Sequence, residues 1–202
     1  MIIGVPKETK DGERRVALTP DVIAQLVKAG FTVQVQNDAG VEAYYSNADY
    51  TQAGAATCDA NTVFAGSDVI VGVNAPAADN IARMKNGAVL ISFMFAATNA
   101  SLVNSCMQAG VSAFSMDAVP RISRAQKMDA LSSQSNLAGY KTVLLGANAL
   151  GKIFPLMMTA AGTIKPAKVV IMGAGVAGLQ AIATAKRLGA IVEVSDIRPE
   201  TK

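Results

Sequence analysis

The stretch KVVIMGAGVAGLQAIATAKRLGAIVEVSD, residues 168–196, decides the fold of the C-terminal part of the chain. An apolar run, VVIM, leads into the pattern G-x-G-x-x-G, and a segment of helix-forming residues follows it. A strand, a glycine turn and a helix in this order are typical of the start of a dinucleotide-binding unit. Gly173 would make the tight turn, Gly175 would let the backbone approach a pyrophosphate, and Gly178 would let the helix pack closely on its strand.

An acidic residue completes this pattern. Backbone N–H groups of the loop, those of Ala174 and Val176 included, would face phosphates at the positive end of the helix. Asp196 follows the next apolar run, 18 residues after Gly178, where an acid binds the adenosine ribose. Its carboxylate can accept a hydrogen bond from a ribose 2′-hydroxyl and repels a 2′-phosphate, so we predict NAD(H) as the ligand. Arg198 nearby would reduce this preference for NAD(H) over NADP(H). The alternative is a purely structural glycine turn.

The composition favours a protein with buried parallel strands. Of the 202 residues, 51% are apolar and 16% are charged, and the net charge of +3 predicts no nucleic-acid partner. The chain has no histidine, and Cys58 and Cys106 lie far apart, so we expect neither a metal site nor a disulfide framework. The N-terminus lacks the apolar region of a signal peptide, and polar residues interrupt the longest apolar helical stretch. We therefore expect a soluble, intracellular chain.

Strand-like runs alternate with helical patterns, which predicts an α/β fold of two Rossmann-like domains with parallel sheets. We expect an N-terminal α/β domain over residues 1–130, a long connecting helix over 131–160, and the start of a Rossmann NAD(H)-binding domain over 161–202. That last domain is expected to be truncated by the chain end, because two strands and one helix cannot bury a doubly wound sheet. The strand-like runs before it are MIIGV (1–5), FTVQVQ (31–36), DVIVGV (68–73), AVLISFMF (88–95) and VSAFSM (111–116).

A polar segment, PRISRAQKMDALSSQSN (120–136), interrupts the alternation of strands and helices. Its arginines could meet phosphate or carboxamide oxygens, while Gln126 and Ser132 offer neutral hydrogen bonds and Asp129 could orient an arginine or hold a ribose hydroxyl. Ligands bind in clefts lined by a few such groups. The alternative is a solvated linker followed by a helix that Ser133 or Ser135 caps.

Three stretches together resemble the NAD(H)-binding component of the proton-translocating nicotinamide nucleotide transhydrogenase family. They are GVPKETKDGERRVALTP (4–20), RISRAQKMDALSSQSN (121–136) and MTAAGTIKPAKVVIMGAGVAGLQAIATAKRLGA (158–190), and the likeness extends over nearly all of the chain. The resemblance implies that the catalytic residues arranging the nicotinamide are Arg121, Gln126, Asp129 and Ser132. It directs Gln126 towards the partner's cofactor and Arg121 and Ser132 towards the carboxamide. Asp129 would hold Arg121 or the ribose.

Alanine dehydrogenase is the related family that has the same N-terminal sequence pattern and the same glycine loop. The pattern of that family has a lysine before a proline after one strand and a histidine at the end of the next. Asn74 in VNAP and Phe93, Met94 and Phe95 in SFMF stand at those places. Arg15, which grips the substrate carboxylate in that family, is present here. Amino-acid deamination would thus lack its acid–base groups, which contribute roughly 10²–10⁴ in rate.

The absence of histidine suits hydride transfer between two nicotinamide rings. That transfer moves no proton at the reacting carbons, so a protein needs only to hold the rings about 3–3.5 Å apart and to exclude water. By resemblance, the chain is part of a proton-translocating, Re/Si-specific NAD(P)⁺ transhydrogenase. A partner component would bind NADP(H), and another would form a membrane-spanning proton channel. A homodimer, cytoplasmic and peripheral to the inner membrane, is implied. The alternatives are an amino-acid oxidoreductase of the alanine dehydrogenase type and a non-catalytic NAD-binding module.

Overall fold

Six parallel strands form the sheet of the N-terminal part of the molecule. The computed structural model describes residues 1–201, in two units, the first over Met1–Met128 and the second beginning at Asp129. The strands of the first unit are β1 (Ile2–Val5), β2 (Thr32–Gln36), β3 (Ala56–Cys58), β4 (Val69–Asn74), β5 (Val89–Phe93) and β6 (Ser112–Ser115). Their order is β3-β2-β1-β4-β5-β6, with every neighbouring pair parallel. The order reverses at β1 and β4, as in doubly wound sheets, where ligands bind outside the carboxyl ends of the strands.

Short helices connect these strands, and polar residues begin several of them. The side chains of Ser46, Asp59 and Asn99 each accept a backbone hydrogen bond in the first turn of the helix that follows. Such caps satisfy N–H groups that have no partner within the helix. The helices are α1 (Pro20–Lys28), α2 (Asn47–Gln52), α3 (Ala60–Gly66), α4 (Ala78–Ile81) and α5 (Ala100–Gln108), with 3-10 turns at Val41–Ala43, Ala96–Thr98, Met116–Ala118 and Ser123–Met128.

Two clusters of buried side chains form the core of the first unit. One contains residues of β1 and β2 together with Ile23 and Tyr50, and the other contains residues of β4 and β5 together with Val63 and Phe64. The Tyr50 hydroxyl donates to the carbonyl oxygen of Leu18 over 3.1 Å. Burial raises the pKa of Tyr50 to about 12, because the phenolate would lose its hydration. The alternation of buried and half-buried residues along the strands follows from helices packing on the sheet.

The second unit contains the glycine-rich stretch. Its elements are α6 (Ala130–Ala149), an antiparallel hairpin of β7 (Met157–Thr159) and β8 (Gly162–Ile164), then β9 (Lys168–Met172), α7 (Val176–Arg187), β10 (Ile191–Ser195) and a 3-10 turn at Pro199–Thr201. β9 and β10 pair in parallel. α6 and α7 pack against each other so closely that a Cβ on Gly139 would collide with the backbone of Ala177. Val143, Phe154 and Ala185 lie in the small buried cluster of this unit.

The α/β fold with parallel sheets predicted from the sequence is confirmed, and each of the five strand-like runs before the glycine stretch contains a strand. The strand β3 and the β7–β8 hairpin were not predicted from the sequence. Both consist of three-residue strands, which are too short to show an alternating pattern. The domain boundaries predicted from the sequence stay predictions. Over residues 1–201, none of the helices combines the length and the apolar character that a membrane-spanning segment needs.

Candidate functional site

The glycine loop lies between β9 and α7. Gly173 has φ of 100°, a conformation that residues with a Cβ rarely adopt, and its N–H donates to the carbonyl oxygen of Ser195 over 2.7 Å. Gly175 is the N-cap of α7 and has no side chain to cap the helix. The N–H groups of the first turn of α7 are therefore oriented towards the place where an anionic ligand would lie.

The space around the glycines differs from one position to the next. A Cβ on Gly178 would collide with the carbonyl oxygen of Gly173, so glycine is required there for the turn and the helix to pack. Around a Cβ on Gly175, by contrast, no atom of the described residues other than Gly175 and its two chain neighbours lies within 4 Å. The backbone of Gly175 is consequently open to the approach of a ligand.

Asp196 lies directly against this loop. Its carboxylate accepts a hydrogen bond from the N–H of Ala174 over 2.6 Å, and it accepts from the N–H, Nε and Nη2 of Arg198 over 2.9, 2.9 and 2.8 Å. The Asp196 side chain is 8% exposed. The Arg198 guanidinium, followed by the two backbone donors, holds the pKa of Asp196 well below its ordinary value. The acid predicted to bind the ribose is thus ionised and close to the glycine loop.

The predicted nicotinamide residues Arg121 and Gln126 are exposed in the first unit. The 3-10 turn Ser123–Met128 carries Gln126, and Ala125, which is 4% exposed, anchors that turn. The N–H of Ala125 donates to the carbonyl oxygen of Ile122 over 2.9 Å. The Gln126 side chain therefore extends from a short turn that a backbone hydrogen bond and a buried alanine hold in place.

Asp129 and Ser132 lie in the second unit, at the start of α6. The Asp129 carboxylate accepts from the N–H of Ser132 over 2.8 Å, which makes Asp129 the cap of this helix. The alternative expectation of a Ser133 or Ser135 cap was wrong. Their hydroxyls donate to the carbonyl oxygens of Asp129 and Leu131 instead. The catalytic roles of Asp129 and Ser132 stay predictions.

A polar network that was not predicted from the sequence lies at the carboxyl ends of β1 and β4. Asn74 donates from Nδ2 to Glu8 and to Glu13, each over 3.0 Å, and Glu8 also accepts from the N–H groups of Val73 and Asn74. Glu13 forms two ionic hydrogen bonds with Arg15, over 2.7 and 2.6 Å. Arg15, followed by Asn74 at the other side of the carboxylate, outweighs burial and lowers the pKa of Glu13 to about 2.

This network holds Arg15, the arginine expected to grip a carboxylate in alanine dehydrogenase, in an ion pair with Glu13. A cavity of about 360 Å³ opens beside the network, lined among others by Lys7, Gln36 and Asn80. The opening sequence PKETKDGERR contains both glutamates, but only tertiary contact brings them to Asn74.

Comparisons with known proteins agree with the fold. The family described as Alanine dehydrogenase/PNT, N-terminal domain, matches residues 4–138, and Alanine dehydrogenase/PNT, C-terminal domain, matches residues 142–202. NAD(P) transhydrogenase subunit alpha of Haemophilus influenzae is 46% identical over 202 residues, which cover 100% of this chain and 39% of that protein. Alanine dehydrogenase of Mycobacterium tuberculosis is 32% identical, over 98% of this chain and 54% of that protein.

A solved structure also matches the fold of this chain. The crystal structure of transhydrogenase from Sinorhizobium meliloti matches with a TM-score of 0.97 at 44% identity, over 100% of this chain and 58% of that one. The chain thus spans between about two fifths and three fifths of the length of these relatives.

Proposed function

Because the chain belongs to the alanine dehydrogenase/PNT family, we propose that it is the NAD(H)-binding part of a nicotinamide nucleotide transhydrogenase. In this reaction hydride passes directly between NADH and NADP⁺, and partner components couple the transfer to proton translocation. The observation that carries the proposal is the pairing of Asp196 with Ala174 beside the open backbone of Gly175. Ribose hydroxyls and pyrophosphate are the groups that such a carboxylate and such a loop recognise.

The chemistry of the side chains supports hydride transfer over amino-acid oxidation. Oxidation of an amine or alcohol releases a proton and needs a base, whereas transfer between two pyridine rings does not. The chain has no histidine, and Asn74, an amide, occupies the place of a lysine in the alanine dehydrogenase pattern. Arg15 is already in an ion pair with Glu13. A ring-to-ring transfer asks only for alignment and the exclusion of water.

In this proposal polar side chains bind and orient the nicotinamide. Arg121 and Ser132 orient the carboxamide, Gln126 is directed towards the partner's cofactor, and Asp129 holds Arg121 or the ribose. Each of these groups binds and orients a ring, and none has to accept a proton. These binding and orienting roles are consistent with the exposure of Arg121 and Gln126.

The proposal divides the nucleotides between two components: NAD(H) on this chain and NADP(H) on a partner. Asp196 disfavours a 2′-phosphate through like charge, and Arg198, which is paired with it, reduces that effect. A membrane-spanning component would carry the protons, with this chain cytoplasmic and peripheral to the inner membrane.

We also propose a homodimer, because the β7–β8 hairpin exposes Met157, Met158 and Ile164.

Mixing the chain with an NADP(H)-binding transhydrogenase component tests the proposed function. Reduction of an oxidised NAD analogue by NADPH, which needs both proteins, is expected. NADH formation that depends on alanine and on this chain alone would instead support the amino-acid oxidoreductase. NADH binding without any turnover in the mixture would support a non-catalytic module.

Within that assay, Gln126→Asn should lower the hydride transfer rate by about tenfold, because shortening the side chain misplaces its amide. NADH affinity, measured by titration of the nucleotide fluorescence, should stay within about twofold. Gln108→Asn is the matched control, since Gln108 is exposed at the end of α5. An unchanged transfer rate in Gln126→Asn would remove Gln126 from the transfer step.

A further inference from the structure

The first unit has, at the end of its strand β1, a hydrogen bond of the same kind as the one beside the glycine loop. In the second unit, the N–H of Ala174, which follows β9, donates to the carboxylate of Asp196, which follows β10. In the first unit, the N–H of Lys7, which follows β1, donates to Oε1 of Gln36 over 2.9 Å, and Gln36 ends β2. Each unit therefore ties the loop after one strand to a polar side chain at the end of the next.

The strand registers show that the two positions are equivalent. The last pair between β1 and β2 is Val5 with Val35, and the last pair between β9 and β10 is Met172 with Ser195. The polar side chain belongs in both units to the residue directly after the second member of that pair. Gln36 thus stands where the second unit has its acid, and its amide carries no charge.

A cavity lies at this place in the first unit. The strand order β3-β2-β1-β4-β5-β6 reverses at β1 and β4, and doubly wound sheets bind ligands outside the carboxyl ends of the strands at such a point. The cavity of about 360 Å³ is lined by residues 6–10, which follow β1, by residues 74–77, at the end of β4, and by Gln36. A cavity of this volume accommodates a small molecule.

Positive charge and hydrogen-bond donors predominate in the lining of this cavity. Among the side chains that the structure describes, the ion pairs include neither Lys7 nor Lys10. Glu8, the acidic residue of the lining, accepts with its two carboxylate oxygens from the N–H groups of Val73 and Asn74. Because Oε1 of Gln36 already accepts from Lys7, the amide of Gln36 offers N–H donors to a ligand. An anion would therefore meet two cations and an amide donor.

The connection after β1 also differs from the glycine loop. Residues 6–19 separate β1 from α1, whereas residues 173–175 separate β9 from α7. The longer connection carries two lysines near its start, in place of the short turn of glycines. Side-chain ammonium groups would thus provide in the first unit the attraction for an anion that backbone N–H groups provide at a glycine loop.

We propose that this cavity of the first unit binds a small phosphate ester, at a second ligand site that does not involve the glycine loop. The inference goes beyond the proposed function and does not depend on it. Lysine is a point charge that binds phosphate, whereas the planar fork of an arginine matches a carboxylate, and Arg15 is already paired with Glu13. The neutral Gln36 does not repel a phosphate. Phe64 and Pro76 provide apolar surface for the organic part of the ester.

Isothermal titration calorimetry of the 202-residue chain with phenyl phosphate tests the site. Binding is expected, and it should persist when NADH is present at saturation. Inorganic phosphate should bind about tenfold more weakly, because it lacks a ring to place against the apolar wall. Benzoate, which has the ring but a carboxylate of lower charge, should bind about fivefold more weakly than phenyl phosphate.

Substitutions in the lining locate the site. Lys7→Gln and Lys10→Gln should each weaken phenyl phosphate binding by about fivefold and leave the thermal unfolding midpoint unchanged, because both side chains are exposed. Gln36→Glu keeps an acceptor for the N–H of Lys7 but repels the phosphate, so the affinity should fall by about tenfold or more. Lys28→Gln is the matched control, since Lys28 is an exposed lysine at the end of α1, and it should bind like the wild type.

The possible results distinguish this site from the proposed function. Absence of phenyl phosphate binding, or equal affinities in the wild type and both lysine variants, would overturn the site. Displacement of phenyl phosphate by NADH would assign the phosphate to the glycine loop and would also overturn it. Equally tight binding of benzoate or of inorganic phosphate would overturn the assignment to a phosphate ester. A chain that binds phenyl phosphate as expected but binds no NADH would overturn the proposed function alone.

Discussion

At the scale of single residues, each of the two units contains an ion pair that lowers the pKa of a carboxylate. In each, an arginine two positions along the chain closes on a carboxylate: Arg15 on Glu13, and Arg198 on Asp196. In both pairs the carboxylate is almost buried, with 9% and 8% of its side chain exposed. A carboxylate of this kind stays ionised, and its charge is partly neutralised for any ligand that approaches.

Removing Arg198 should sharpen the preference for NADH. Arg198→Ala leaves the charge of Asp196 unscreened, so repulsion of a 2′-phosphate increases while a ribose hydroxyl still finds an acceptor. The ratio of NADH to NADPH affinity should rise about three- to fivefold. Titration of nucleotide fluorescence measures the ratio. Lys168→Ala removes another exposed cation, which pairs with Glu193, and a similar rise there would show that general charge is responsible.

Glu13 should contribute to stability in a pH-dependent way. Its pKa falls from 4.5 to about 2 on folding, because of Arg15. The contribution is therefore present above pH 4.5 and disappears as the pH falls towards 2. Glu13→Gln should lower the free energy of unfolding by about 1–2 kcal/mol at pH 7 and by much less near pH 2.

Urea unfolding of Glu13→Gln at a series of pH values checks this prediction. Glu42→Gln is the control, because the pair of Glu42 with Arg14 is exposed on both sides and should contribute little. A constant difference between wild type and Glu13→Gln from pH 7 to pH 2 would contradict the linkage.

At the scale of elements, the β9–α7 turn combines a structural and a binding requirement for glycine. The carbonyl oxygen of Gly173 excludes a Cβ at Gly178, whereas Gly175 has open surroundings and φ of −81°, which any residue can adopt. The two positions should thus respond differently to the same substitution.

Gly175→Ala should leave the thermal unfolding midpoint within about 2 °C and weaken NADH binding by about tenfold or more, because the methyl group occupies the approach to the pyrophosphate. Gly178→Ala should lower the midpoint by several degrees, since the turn must shift. Thermal unfolding and NADH titration of both variants test this.

Gly146→Ala, in α6 with open space around its Cβ, provides the control and should be neutral or stabilising by about 1 kcal/mol. Unchanged NADH affinity in Gly175→Ala would exclude the loop as the phosphate site.

At the scale of the whole molecule, the family resemblance identified from the sequence is confirmed by the matches over residues 4–138 and 142–202.

The proposed homodimer is testable at this scale. Met158→Glu places a charge on a side chain that is 76% exposed at the hairpin, and it should shift the sedimenting species from dimer to monomer. Met107→Glu, on a side chain that is 72% exposed on α5, should not. A dimer that persists in Met158→Glu would remove the hairpin from the interface.

The sequence by itself determined the features that depend on neighbouring residues. The alternation of strands and helices, the turn at Gly173 and the acid at position 196 appear as local patterns, because periodicity and backbone preference act over a few residues. The strands β1, β2, β4, β5 and β6 were therefore predictable, while the short β3 and the β7–β8 hairpin carried no such pattern.

Only the tertiary structure decided which polar groups meet. Asn74 reaches Glu8 from 66 positions along the chain, and Asp117 accepts from the N–H of Phe95 from 22 positions away. These contacts arise because parallel strands bring their carboxyl ends to one edge, whatever their separation in sequence.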